Sequence, residues 1–149
     1  MNTLASAITL TGTSPSSATT SAGTAVAIPM TFAGANKVVV DAVLAGGTGG
    51  TLDVYIQRQT GVDEWKDLIH FPQLAAGASK KYTCVIADEA AAIVETGGGT
   101  TAAPGVALAA NTVVNVIPQS NVRFVFVAGA GTSAGAAQTV KMLPYLSKD

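Results

Sequence analysis

Three stretches of this chain hold residues suited to catalysis or ligand binding. Gly131-Thr132-Ser133-Ala134-Gly135 matches G-x-S-x-G. That turn exposes a nucleophilic serine when a strand precedes it, a helix follows it, and an acid and a histidine come later. Only Asp149 follows here and no histidine does, so a small-residue loop explains the run better. Gly129, Gly131 and Ala134 also fit G-x-G-x-x-A, whose glycines would let a pyrophosphate approach a helix N-terminus. No β-α-β pattern surrounds them, and Pro144 lies only ten residues beyond Ala134, early in any helix that would start there. The third stretch, residues 49–71, carries the only His and the only Trp. His70 could serve as a general base or metal ligand, but either role needs converging partners, and the chain offers no Cys pair.

The remaining candidates each have a plainer reading. Asp63, Glu64 and Asp67 could help bind a cation at a hairpin tip, or simply form a solvated turn, while Asp88 and Glu89 read as an exposed turn after a strand. Trp65, Tyr55 and Phe71 could form a sugar-stacking platform. Trp65 reads as core, however, because its expected face also carries Ile69 and Phe71. That leaves Tyr55 as the aromatic expected to be exposed. No catalytic, cofactor-binding or metal-binding set is expected, and no cofactor.

Strands are expected to carry these residues. Leu52, Val54 and Ile56 alternate with Asp53, Tyr55 and Gln57, the period of two of a half-buried strand. A polar turn around Gly61 comes next. Beyond it, Trp65, Asp67, Ile69 and Phe71 are expected on one face and Lys66, Leu68 and His70 on the other. Pro72, lacking an N–H, should end the second strand.

Composition narrows the function classes. The 149 residues suffice for one domain with a buried core. Charged residues are only 11%, and eight Lys plus Arg against nine Asp plus Glu give a net charge of -1. Nucleic acid is not an expected partner, because phosphate binding rests on clustered positive charge and Lys80-Lys81 is not a basic stripe. No run approaches the ~18 apolar residues of a spanning helix, so no membrane role is expected. MNTLASAITL has no Lys or Arg and does not read as a secretory signal. Cys84 is alone, excluding an intrachain disulfide, and reads as a buried small hydrophobe in a chain made in a reducing cytoplasm.

Along the chain, residues 1–23 read as an N-terminal arm or loop and residues 24–149 as a single domain. Residues 1–10 allow a short strand or an arm on a neighbour, and Thr11 to Gly23 is Ser/Thr-rich without large apolar residues. Val26, Ile28, Met30 and Phe32 alternate around Pro29, which points to a sheet edge or bulge. Strands are expected over Lys37 to Ala45, Ser79 to Ala87 and Gln138 to Leu146. Residues 90–94 suit a short strand or one helical turn. Thr112 to Ile117 and Val122 to Val127 suggest a hairpin. Residues 96–110 and 129–137 are Gly/Ala-rich loops, long enough to be functional or ordered by a partner. About eight to ten short strands with no amphipathic helix predict an all-β sandwich, specifically a jelly roll.

In its composition and in Leu52-Asp53-Val54-Tyr55-Ile56-Gln57 followed by Trp65, Asp67, Leu68, His70 and Phe71, the chain resembles the decoration, or cement, proteins of tailed-bacteriophage heads. The match covers about 20 residues of the hairpin. The resemblance implies a non-catalytic β-sandwich on the outer capsid surface, often a trimer, that clamps neighbouring major capsid subunits. It also implies localisation on the virion after synthesis in the host cytoplasm. Residues 1–23 and the two long loops would make the contacts, so deleting residues 1–23 should weaken attachment and leave a folded domain. The alternatives are a carbohydrate-binding module using Tyr55 and Trp65, or a virion tail protein built on a related sandwich.

Overall fold

Val38, Val40, Ala42 and Leu44 are buried while Asp41 and Val43 are exposed, the alternation expected of a strand with one face on a core. The computed structural model describes residues 2–3, 6–13, 15, 19–87, 108–131 and 137–146. Among these residues twelve strands form: β1 Asn2–Thr3, β2 Ile8–Thr13, β3 Thr20–Ala22, β4 Val26–Ala27, β5 Lys37–Ala45, β6 Thr51–Gly61, β7 Glu64–His70, β8 Leu74–Ala75, β9 Ser79–Ala87, β10 Thr112–Val113, β11 Asn121–Ala128 and β12 Ala137–Leu146. Of the twelve, β1, β4, β8 and β10 are pairings of 2 residues, and the rest agree with the eight to ten strands expected.

The strands make two antiparallel sheets packed face to face, a β-sandwich. One sheet runs β2-β12-β5-β9, with β1 also on β12. The other runs β3-β11-β6-β7-β10, with β4 also on β11 and β8 also on β6. Strands from opposite ends of the chain are thus nested, β2 beside β12 and β3 beside β11, with β5 and β6 inside them. This is the winding of a jelly roll. The β5–β6 and β11–β12 connections both pass from one sheet to the other. At the β5–β6 crossing Gly49 and Gly50 adopt φ of 68° and 62°, as the Gly run predicts.

The core lies between the sheets. Ile8, Leu10, Val38, Val40, Leu44, Ile86, Val140 and Met142 from the first sheet meet Leu52, Val54, Ile56, Leu68, Ile69, Phe124 and Phe126 from the second. Each such side chain contributes about 1.5–3 kcal/mol by leaving water.

Three expectations are corrected. The described part of residues 1–23 is not a separate arm: β2 pairs with β12 over Ala137 to Met142, β3 pairs with β11, and Ile8 and Leu10 are core residues. Hydrogen bonding along the main chain and two apolar residues outweigh the loop-like Ser/Thr composition around them. Thr112 to Val127 is not a hairpin, because β10 pairs with β7 and β11 pairs with β6. Residues 114–120 instead carry the chain from one edge of the sheet to β11, leaving Val114 and Ile117 buried on the way. The run around Pro29 lies at a sheet edge, as expected, but its alternation does not make one strand: it yields the two-residue pairing β4 and a 3-10 turn at Met30–Phe32, since Pro29 cannot donate to a ladder. Residues 90–94 lie outside the described residues.

Candidate functional site

The two outer faces of the sandwich differ. On the β5 sheet, Thr9, Thr11, Asp41, Val43, Lys81, Thr83, Val85, Thr139 and Lys141 are exposed, Val43 and Val85 each at 44%. Register places Asp41 between Thr83 and Lys141, and Val43 between Lys81 and Thr139. The Thr83 hydroxyl donates to Asp41 Oδ1 at 2.7 Å. This face is mostly β-branched and open.

The outer face of the other sheet is closed, and holds most of the candidate residues in one polar network. A bulge builds it. Ile56 pairs with Ile69 and Gln57 pairs with Asp67, so Leu68 is an extra residue on β7. Leu68 and Ile69 both turn to the core, and the alternation expected through Phe71 breaks there. Asp67 and His70 are brought to the outer face opposite Gln57 and Tyr55. Trp65 shares that outer face with them and is not a core residue, because it precedes the bulge while Ile69 and Phe71 follow it.

Asp67 is fully buried, with Gln57 Nε2 donating to Oδ1 at 2.8 Å and the Leu108 amide donating to Oδ2 at 3.0 Å. Arg123 donates through Nε at 3.0 Å and a terminal nitrogen at 2.9 Å to Gln57 Oε1, and its guanidinium lies 4.1 Å from the Trp65 ring centre. His70 Nδ1 lies 2.7 Å from the Leu108 carbonyl oxygen, and Nε2 lies 3.1 Å from Asp53 Oδ1. Gln73 donates to Asp53 Oδ2 at 2.8 Å. The Tyr55 ring stacks on His70 with centroids 3.8 Å apart. Tyr55 is therefore buried, against the expectation that it is exposed. Burial, then the negative charges of Asp53 and Asp67, push its phenol up to about 12.

A small cavity lined by His70, Cys84 and Asn111 holds the residue types of a thiol nucleophile with its base and orienting amide. The chemistry does not assemble. Both His70 ring nitrogens are engaged elsewhere, and burial followed by the charge of Asp41 pushes the Cys84 thiol up to about 11, away from the thiolate.

The other candidates separate in space. Asp63 occupies the tip of the β6–β7 hairpin at φ 58°, exposed Glu64 lies 3.9 Å from Lys66, and Asp67 faces the network. Among the described residues, no group of three His, Cys, Asp or Glu could hold a metal. Ser133, Thr132, Ala134 and Gly135 lie outside the described residues, as do Asp88, Glu89 and most of 96–110. Gly129 and Gly131 form the turn after β11, where the Gly129 amide donates to the Thr51 carbonyl at 2.8 Å. The next described element is strand β12, not the helix that either glycine motif needs.

No family model, curated protein or solved structure matches this chain. Sequence reasoning missed Gln57, Leu108 and Arg123. Arg123 had a readable signal, being the one charged residue in the largely apolar strand NVRFVFVA, whereas Gln57 lies among Asp53, Arg58 and Gln59 and does not stand out. Leu108 enters the site through its backbone, which side-chain chemistry does not announce.

Proposed function

We propose that this chain is a structural virion protein, a decoration protein that binds the outer surface of a tailed-phage capsid and stabilises contacts between major capsid subunits. The observation that supports this reading best is the open face of the β5 sheet. Its threonines and valines present a nearly neutral surface suited to close packing against a repeated partner rather than to electrostatic capture. The hairpin resemblance adds the phage-head context and favours a homotrimer. Many identical weak contacts on one particle add through effective concentration.

The carbohydrate alternative loses its platform, because Tyr55 is stacked under His70 and Trp65 lies beneath Arg123. The test is analytical ultracentrifugation of the purified chain, alone and mixed with empty capsids or isolated tails. Co-sedimentation with capsids is the expected result. A chain that stays in the slow boundary with capsids would overturn the reading, and co-sedimentation with tails alone would move the protein to the tail.

A further inference from the structure

His70 faces two groups that can only accept while Asp53 is ionised. The Leu108 carbonyl lies 2.7 Å from Nδ1 and Asp53 Oδ1 lies 3.1 Å from Nε2. Neutral imidazole has one N–H, so it can satisfy one of these groups and must turn a lone pair toward the other. The geometry is satisfied when the Asp53–His70 pair holds one more proton, as imidazolium with carboxylate or as a shared proton between them. The ring is 6% exposed, so water cannot readily take over the unsatisfied contact.

We infer that the Asp53–His70 pair is a proton-operated clasp on the chain at Leu108. With the proton bound, both nitrogens donate, and Leu108 is gripped at its carbonyl by His70 and at its amide by Asp67 Oδ2. When the pair loses that proton to solvent, one N–H remains. It stays on Asp53, because a bond to a carboxylate is stronger than one to a neutral carbonyl. The Nδ1 lone pair then opposes the Leu108 oxygen, and the grip at that carbonyl opens. Leu108 is half-buried against the core, so opening the grip loosens the chain at Leu108 itself.

The groups facing His70 come from five strands. From β6 come Asp53 and the stacked Tyr55, from β7 Asp67 through the Leu108 amide, and from β11 Arg123 through Gln57. From β9, Tyr82 and Cys84 line the adjoining cavity, and β10 places uncharged Thr112 opposite. Two carboxylates stand near the ring, and the cation among these groups is held on Gln57.

The test is NMR of the full, uniformly nitrogen-15-labelled chain, following the His70 ring nitrogens and the Leu108 amide exchange rate from about pH 5 to about pH 9. At the acid end both ring nitrogens should be protonated. Toward the alkaline end Nδ1 should lose its proton while Leu108 protection, corrected for intrinsic exchange, falls roughly five- to tenfold with the same midpoint. Asp53→Asn gives a second reading. Its amide can donate to a neutral Nε2 while its oxygen still accepts from Gln73, so Leu108 protection should become independent of pH. Leu108 protection that stays flat while the wild-type ring titrates would overturn the clasp. So would a ring that keeps one state throughout, or an Asp53→Asn chain that behaves like wild type.

Discussion

Asp67 and His70 lie on the same face of their sheet although three positions separate them, a step that puts strand residues on opposite faces. Leu68, the extra residue of the β7 bulge, makes the difference. One inserted residue turns a solvated carboxylate and a histidine into parts of a buried network, and turns two consecutive apolar residues into the core.

Asp67→Asn should therefore destabilise the protein far more than its size suggests. The two donors reach different oxygens, and the substitution replaces one of those oxygens by an NH2, so one donor then faces another donor. The expected cost is about 1–3 kcal/mol, read as a lower urea midpoint with unchanged slope. An unchanged midpoint would mean that the network contributes nothing to folding.

Stability should decline on the alkaline side. The Cys84 thiol rises from an ordinary 9.0 to about 11 and the Tyr55 phenol from 10.0 to about 12. Between pH 9 and pH 11 for Cys84, and between pH 10 and pH 12 for Tyr55, the unfolded chain releases protons that the folded chain keeps. The folded state then binds more protons, so stability falls as pH rises through these windows. Urea midpoints measured across them should fall for wild type and fall less for Tyr55→Phe. At neutral pH, Cys84 should react slowly with a thiol reagent until urea unfolds the chain.

Deleting residues 1–13 should unfold the domain rather than merely detach it from a partner. Strand β2 pairs with β12 over Ala137 to Met142 and buries Ile8 and Leu10. Those two side chains alone are worth about 1.5–3 kcal/mol each, against a typical total of about 5–15 kcal/mol. Circular dichroism and dispersion of amide resonances would check this. A truncated chain that melts like wild type would contradict it.

Sequence periodicity made much of this fold legible. Strands β5 and β9 end where alternation and turn residues place them, because each has one face on the core and one on water. Strand β2 was hidden, since Thr11, Gly12 and Thr13 look like loop, and only pairing with a strand more than a hundred residues away makes them sheet. Leu68-Ile69 concealed the bulge, because two neighbouring apolar residues fit either register until the partner strand is known. The site was half legible for the same reason: His70 and Asp67 stood out as rare residues, whereas their convergence depends on that bulge and on the backbone of Leu108.

The proposed contact between the open face of the β5 sheet and a capsid is best checked by comparing wild type with a Val43→Asp, Val85→Asp double variant in co-sedimentation with empty capsids. Both positions are 44% exposed, so the variant should fold normally by circular dichroism. Wild type should pellet with capsids to a saturating copy number, while the folded variant stays in the supernatant at the same concentration. A folded variant that saturates capsids as wild type does would rule out this face as the capsid-binding surface.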